Sequence, residues 1–205
     1  MPKINNIAEK INSLLKLQGV WFFQLKENKN GELCLLEIAP RVAGTMGLSR
    51  AYGVNLPLLS LFDALGEEIS IVKNNYSVEI DRALENRFYI DLDYDVVYVD
   101  FDDCLVIKGK VNTSLIAFLY QSINKNKKII LISKHDGSLE NELKKYKLKN
   151  IFDEIIHLQK NDKKYNYITM KRAIFIDDSF AERKEISEKK SIPVFSPDII
   201  ENLEI

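Results

Sequence analysis

Three short apolar segments in the C-terminal half each end at a residue with an oxygen-bearing side chain. They are residues 96–99 before Asp100, residues 129–132 before Ser133, and residues 173–176 before Asp177 and Asp178. Continuous apolar runs separated by helical periodicity are typical of strands that are buried on both faces of a parallel sheet. The ligand crevice of such sheets lies at the carboxyl ends of the strands, so we expect these side chains to converge on one site.

Several carboxylates at one site repel each other and raise each other's pKa unless a cation holds them together. Hard oxygen ligands are those that Mg²⁺ prefers, and protein-bound Mg²⁺ commonly also contacts a phosphate of the substrate. The sequence therefore predicts a magnesium and phosphate site at this edge of the sheet.

The segment Asp-Phe-Asp-Asp-Cys-Leu at residues 100–105 directly follows the first of these strands. It resembles the first motif of haloacid dehalogenase superfamily hydrolases. Ser133 is similar to the second motif of that family, and Asp177-Asp178 to the fourth. The resemblance covers about residues 94–205 and implies an α/β fold with a Rossmann-type parallel sheet.

The third motif of this family is a lysine upstream of the fourth, and Lys163 and Lys164 are the two candidates. We favour Lys164 because it begins the helix-like run at residues 164–168. Lysines are dense in this region, so a solvated surface lysine is the alternative interpretation for either residue.

The resemblance implies a role for each of four residues in catalysis. Asp100 would attack phosphorus and form an aspartyl-phosphate, and Asp102 would act as the acid and base. Ser133 and Lys164 would hold the transferring phosphoryl group.

The same resemblance implies a magnesium site. Asp100, the backbone carbonyl of Asp102, and Asp177 would be direct ligands, and Asp178 would bind through a water molecule or support the other ligands. Mg²⁺ is the only cofactor that this half of the chain predicts.

Other interpretations of these residues remain open at the level of sequence. The aspartates and Ser133 could cap the helices that follow their strands. We interpret His135 as an exposed loop histidine and Cys104 as a small packing residue, because no base lies next to it in the sequence.

The short spacings from Leu105 to Ser133 and from Ser133 to Lys164 leave no room for a large cap insertion. The site should therefore be open, which suggests a bulky substrate or a lid from the N-terminal half or another chain.

The N-terminal half has a different pattern, of α+β type. The sequence predicts an amphipathic helix and a hairpin with an Asn-Gly turn, followed by a loop and two helices. The first helix covers residues 4–17, and the two hairpin strands cover residues 20–26 and 32–38. The loop covers residues 39–45, and the two helices cover residues 46–52 and 56–65, the second ending at Gly66.

Gln24, Glu37 and Arg41 lie in two of these segments, within Trp-Phe-Phe-Gln at residues 21–24 and Leu-Glu-Ile-Ala-Pro-Arg at residues 36–41. The segments resemble the C-terminal piece of an ATP-grasp carboxylate–amine ligase, in which such strands present Gln and Glu to Mg-ATP. A structural ion pair between Glu37 and Arg41 is the alternative.

About 90 residues do not supply the two lobes that clamp ATP in that family. The fragment is therefore expected either to complete an ATP-grasp fold with a co-encoded chain or to serve as a scaffold. Exposed apolar surface in such a fragment also predicts a homodimer or a heteromeric complex.

Composition narrows the class of protein. Lys and Arg number 29 against 30 Asp and Glu, so no basic field favours nucleic acid or anionic lipid. The two cysteines and two histidines match no zinc spacing. No apolar run approaches the roughly 20 residues of a membrane span, and the polar N-terminus is unlike a secretory signal, so we expect a cytoplasmic protein.

These observations predict two domains, an ATP-grasp fragment at residues 1–90 and a hydrolase domain at residues 91–205. The predicted function is a magnesium-dependent phosphatase acting on a phosphorylated small metabolite, in a biosynthetic pathway. Two alternatives remain: a subunit that completes a split ATP-grasp ligase, and phosphoryl transfer to an acceptor other than water.

Overall fold

The computed structural model describes residues 2–82 and 86–203. Contacts divide the chain into two compact units. Unit 1 comprises Met1–Arg50 and Val54–Ile71, and unit 2 comprises Ala51–Gly53 and Val72–Ile205. These units are defined by packing, whereas the domains at residues 1–90 and 91–205 were predicted from sequence character, and that division stays a prediction.

Unit 1 contains two helices and a hairpin, together with a short helix that ends at the start of unit 2. The elements are α1 (Pro2–Leu15), β1 (Phe22–Glu27), β2 (Leu33–Ala39), α2 (Gly47–Ala51) and α3 (Leu56–Leu65). All five were predicted within two residues of these bounds, and the bounds of α3 were predicted without a shift.

Local side-chain chemistry explains the turns of unit 1. The Asn28 side chain accepts hydrogen bonds from the backbone amides of Asn30 and Glu32, both at 2.9 Å, and Gly31 adopts a φ of 78°. Asn55 caps α3, and Gly66 ends it at a φ of 71°, a conformation that glycine adopts without a steric cost. The predicted hairpin turn and helix end are therefore confirmed.

Unit 2 is built around a five-stranded sheet with helices between the strands. The strands are β5 (Val96–Val99), β8 (Lys128–Ser133), β9 (Glu154–His157), β10 (Ala173–Ile176) and β11 (Val194–Phe195). The helices are α4 (Thr113–Asn124), α5 (Leu139–Lys145), α6 (Phe180–Lys190) and two 3₁₀ helices, Lys164–Tyr167 and Pro197–Leu203.

All neighbouring strands of this sheet pair in parallel, in the order β11-β10-β5-β8-β9. The chain moves outward from β5 through β8 to β9 and then returns to β10 on the other side of β5. The strand order therefore reverses between β5 and β10, which is where open α/β sheets form their ligand crevice.

Alternate residues of each strand pack into two different clusters, one on each face of the sheet. Val97 and Val99 lie in a cluster with residues of α4, α5 and the last 3₁₀ helix. Val96 and Tyr98 lie in a second cluster, with Ile186 of α6. The period of two along a strand that is buried on both faces thus produces a three-layer α/β/α arrangement.

The edge of the sheet at β11 is covered by a side chain. Asn74, which is 5% exposed, donates from Nδ2 to the carbonyl oxygen of Val194 and accepts from the Val194 amide, both at 2.8 Å. The side-chain amide of Asn74 thus forms the hydrogen bonds that a neighbouring strand would form with the backbone of Val194.

Two hairpins in unit 2 were not predicted. The first is formed by β3 (Ser77–Arg82) and β4 (Asn86–Asp91), and the second by β6 (Val106–Ile107) and β7 (Lys110–Val111). The first carries an alternation of Val78 and Ile80 with polar residues, but no Asn-Gly or Pro-Gly signal marks a turn after it. The second is too short for a periodic pattern.

The mixed α/β class and the parallel sheet were predicted correctly, and the haloacid dehalogenase-like assignment stays a prediction. Within the part of the chain that the structure describes, no helix combines the length and the apolar character needed to cross a membrane.

Candidate active site

Asp100 and Asp177 lie next to each other at the point where the strand order reverses. They follow β5 and β10, and the parallel register pairs Val99 with Ile176 directly before them. The Asp100 amide donates to the carbonyl oxygen of Ile176 at 3.0 Å, and the Asp177 amide donates to that of Phe195 at 3.1 Å. The predicted convergence of these two aspartates is confirmed.

Lys164 joins the two aspartates. Its Nζ lies 2.8 Å from Asp100 Oδ1 and 2.6 Å from Asp177 Oδ2, and the residue is only 3% exposed. It begins the 3₁₀ helix in the connection that returns from β9 to β10. Lys163, in contrast, pairs with Glu185 at 3.1 Å and its side chain is 53% exposed. Lys164, and not Lys163, therefore lies beside the two aspartates, while its role in binding phosphate stays a prediction.

Burial and neighbouring charges change the pKa values of Lys164 and Asp177. Burial opposes the charge on Lys164, but the carboxylates of Asp100 and Asp177 outweigh this effect and raise its pKa above the ordinary value. Burial also raises the pKa of Asp177 to about 6, although Lys164 acts in the opposite direction. The ammonium group of Lys164 therefore stays charged at neutral pH and offsets part of the negative charge at the site.

Ser133 is the last residue of β8, the strand next to β5. It is 1% exposed, and its Oγ has no hydrogen-bond partner among the residues that the structure describes. A buried hydroxyl without a partner is costly, so a ligand atom is the natural acceptor. Ser133 does not cap α5, because Ser138 supplies that cap through the amide of Asn141.

Asp177 and Asp178 differ in their availability to a cation. Asp177 uses one oxygen for Lys164 and the other for the Ser179 amide, at 2.8 Å. Asp178 is exposed, and its carboxylate lies within 4.8 Å of ligand atoms of Asp100 and Cys104. Arg183 of α6 donates to the carbonyl oxygens of both aspartates, at 2.5 and 2.6 Å, and so fixes the backbone that carries them.

Cys104 is fully buried beneath this group. Burial, followed by the negative charge of Asp100, raises the pKa of its thiol well above the usual range. The thiol is therefore protonated at neutral pH and does not act as a nucleophile, in agreement with the prediction of a packing residue.

Asp102 projects from the turn that follows β5, and its side chain is 53% exposed. His135 lies beside it, with Nδ1 at 2.9 and 3.0 Å from the two carboxylate oxygens. The His135 side chain is only 16% exposed, so the interpretation as an exposed loop histidine was wrong. The position of His135, two residues after Ser133, indicated that it lies near the site. The sequence alone does not show that its side chain contacts Asp102.

Gln24, Glu37 and Arg41 lie together in unit 1. Gln24 is opposite Glu37 in the β1–β2 register, and Arg41 Nη2 lies 3.8 Å from Glu37 Oε1. The Arg41 guanidinium also lies 4.8 Å from the centre of the Phe22 ring. All three polar side chains are exposed. The ion pair is thus formed, and the role of these three residues in binding a nucleotide stays a prediction.

Comparison with solved structures finds a crystal structure of an uncharacterized protein from Corynebacterium glutamicum ATCC 13032 Kitasato. It is 12% identical, with a TM-score of 0.40, and the match covers 50% of this chain and 82% of that one. No curated protein matches the chain.

One family model matches the N-terminal region. The family is described as ATP-grasp in the biosynthetic pathway with Ter operon, and the match covers residues 1–85. The resemblance of residues 94–205 to haloacid dehalogenase hydrolases is not part of this match and stays a prediction. Residues 1–85 are thus similar to an ATP-grasp family, and this similarity supports the predicted ATP-grasp-related fragment.

Proposed function

We propose that residues 94–205 form a magnesium-dependent phosphatase of the haloacid dehalogenase type, which acts on a phosphorylated small metabolite. The observation that carries this proposal is the buried Lys164 ammonium, 2.8 Å from Asp100 and 2.6 Å from Asp177, at the reversal point of a parallel sheet. Ser133 supports it with a buried hydroxyl that lacks a partner. Together these groups offer a nucleophile and two donors to one phosphoryl group.

The donor set fits a magnesium ion. Asp100 and Asp178 lie close enough to share a cation, and the backbone carbonyl of Asp102 is a third oxygen on the same turn. The geometry favours Asp178 as the direct ligand, whereas the sequence-based prediction gave that role to Asp177. When bound, Mg²⁺ would offset the charge of the phosphoryl oxygens.

The residues of the chain divide the chemistry into two displacements. The Asp100 carboxylate attacks phosphorus and the ester P–O bond breaks, while Asp102 donates a proton to the leaving oxygen. Asp102 then accepts a proton from the water that attacks the aspartyl-phosphate, which releases phosphate and restores Asp100. Lys164 and Ser133 hold the phosphoryl oxygens in both steps. An acceptor hydroxyl in place of water would give phosphoryl transfer instead.

The test is a screen of phosphate monoesters with purified protein, with and without Mg²⁺. We expect phosphate release that depends on Mg²⁺ and is lost in excess chelator. Asp100→Asn should be inactive, and Asp81→Asn, an exposed aspartate on β3, is the matched control. Hydrolysis that persists in chelator, or in Asp100→Asn, would contradict the proposal.

A second candidate function is that of a subunit in an ATP-grasp enzyme, and the family match over residues 1–85 favours it for that region. The exposed large apolar side chains of unit 1 support it, because such surface is usually covered by a partner. They are Ile4, Leu14, Leu15, Leu33, Leu35, Leu36, Leu58, Leu61, Phe62, Leu65, Ile69 and Ile71. Under this proposal an ATP-grasp domain covers the surface, and the phosphatase-like module serves docking or phosphotransfer.

Sedimentation with and without a co-encoded ATP-grasp protein tests this second candidate. We expect a heteromeric complex that Leu36→Asp weakens, since Leu36 is 60% exposed on β2. Tyr120→Asp, which changes a side chain 53% exposed on α4 of unit 2, is the control and should leave the complex intact. A chain that stays monomeric with every such protein would exclude the subunit role.

A further inference from the structure

His135 and Asp102 come from different loops and meet at the candidate active site. Asp102 lies in the turn after β5, and His135 lies two residues beyond the end of β8. His135 Nδ1 lies 2.9 and 3.0 Å from the two carboxylate oxygens, and in the tautomer that carries a proton on Nδ1 it donates to an ionised Asp102. A contact to both oxygens restrains the position of the carboxylate.

The His135 ring is itself held in place by its surroundings. The buried Phe101 ring, between Asp100 and Asp102 in the sequence, contacts it edge-on, with ring centres 5.2 Å apart. The carbonyl oxygen of His135 accepts a hydrogen bond from His157 Nε2 at 2.8 Å. His157 is the last residue of β9, so the backbone of His135 is anchored to the sheet. The anchored ring therefore provides a stable donor for Asp102.

Asp102 needs such a donor because its side chain is 53% exposed. An exposed carboxylate without a partner samples several rotamers, and ordering it has an entropic cost. Proton transfer requires the acid to lie within hydrogen-bond distance of the leaving oxygen, so misplacement of Asp102 lowers the rate.

We infer that His135 is a positioning residue that holds the Asp102 carboxylate in the orientation needed to protonate the leaving group. This inference rests on the proposed phosphatase function. It goes beyond the family resemblance, which gives no role to a residue at this position. It also predicts the class of substrate that depends on His135: phosphate esters of alcohols, whose leaving oxygen must gain a proton as the ester bond breaks.

The dependence on leaving group separates this role from a purely structural one. An alkyl alcohol leaves poorly without protonation, whereas 2,4-dinitrophenolate leaves without it. The parameter kcat/KM reports only the steps up to formation of the phosphoenzyme. Loss of Asp102 positioning should therefore lower kcat/KM for an alkyl phosphate by about 10²-fold, the lower end for general acid catalysis. For 2,4-dinitrophenyl phosphate, kcat/KM should change little.

Three substitutions at residue 135 form a matched series. His135→Leu removes the donor, His135→Asn keeps an N–H at the position of Nδ1, and His135→Gln places it at the position of Nε2. We expect the large loss for alkyl phosphate in the Leu and Gln variants, and most of the activity to be retained in the Asn variant. Comparison of Asn with Gln keeps the test decisive if His135→Leu fails to fold.

Acid–base action in the second displacement provides a further readout. With 2,4-dinitrophenyl phosphate, the Leu and Gln variants should show a burst of dinitrophenolate, since Asp102 must also activate water and phosphoenzyme will accumulate. In an Asp102→Asn background, His135→Leu should have no additional effect, because the two residues act as one unit.

The outcomes that overturn the inference differ from those that overturn the proposed function. An active wild-type protein whose His135 variants lose kcat/KM equally for both substrates, or lose none, would exclude the positioning role alone. A wild-type protein that hydrolyses no phosphate ester with Mg²⁺ would overturn the phosphatase function and this role together.

Discussion

The two units of the molecule use apolar residues in different ways. Among the described residues of unit 1, only Ile11 and Ala39 are buried apolar residues, and every residue of α3 remains at least partly exposed. In unit 2, all residues of β5 and β10 are buried. Apolar segments thus form a helix without buried residues in unit 1 and fully buried strands in unit 2. Periodicity predicts an element, but only a packing partner produces burial.

The ion pairs of the two units also differ in burial. Glu37 and Arg41 form an exposed ion pair at 3.8 Å, in which water screens the charges. Lys164, Asp100 and Asp177 form a buried ion pair network, in which removing the charges from water costs free energy. Buried charged clusters of this kind are common at functional sites. The comparison places the buried charged cluster of the described residues in unit 2.

The largest expected difference between the units is in hydrogen exchange. We expect backbone amides of β5 and β10 to exchange at least about 10⁴-fold more slowly than those of β1 and β2, because only the sheet needs global unfolding to open. Exchange followed by mass spectrometry measures this difference. Equal protection in both units would show that unit 1 is covered, and would break the comparison.

Asp100→Asn should lower phosphatase turnover by at least about 10³-fold, since it removes the nucleophile and keeps the shape of the side chain. The measurement is steady-state phosphate release with Mg²⁺. Asp81→Asn is the control and should keep wild-type turnover. A variant that retains a tenth of the rate would count against covalent catalysis at Asp100.

Mg²⁺ should stabilise unit 2, because a ligand that binds only the folded state raises the free energy of unfolding. At about 100 times the dissociation constant this amounts to about 2.7 kcal/mol. Thermal unfolding monitored with and without Mg²⁺ measures the effect. Asp178→Asn should reduce the shift, whereas Asp81→Asn should leave it unchanged. An unchanged shift in Asp178→Asn would exclude Asp178 as a ligand.

The smallest expected effect is on the free energy of unfolding, when either of two asparagine caps is replaced. Asn55 accepts a hydrogen bond from the Leu58 amide in unit 1, whereas Asn112 caps α4 in unit 2 and also donates to the Cys104 carbonyl oxygen at 3.2 Å. We expect Asn112→Ala to destabilise by about 2 kcal/mol and Asn55→Ala by about 1 kcal/mol. Denaturant unfolding of each variant measures these values. A larger destabilisation by Asn55→Ala than by Asn112→Ala would contradict the conclusion that unit 2 is the more tightly packed unit.

Much of the fold could be predicted from sequence, because its signals are local. Apolar runs mark β5, β8 and β10, and Gly66 and the Asn-Gly pair mark a helix end and a turn. Asp100, Ser133 and Asp177 could be predicted as candidate site residues, since each directly follows such a run. The β3–β4 hairpin has period-two alternation but no turn signal, and was missed.

The sequence by itself determined three strands of the large sheet, β5, β8 and β10, together with their parallel class and the residues at their carboxyl ends, because these features follow from period and position along the chain. Tertiary structure alone decided three further points. It chose Lys164 over Lys163, placed His135 beside Asp102, and used Asn74 to pair the edge at Val194. Each of these contacts depends on the direction of a side chain toward a residue that is distant in the sequence. That direction is set by how the connections between strands pack, and no local pattern encodes it.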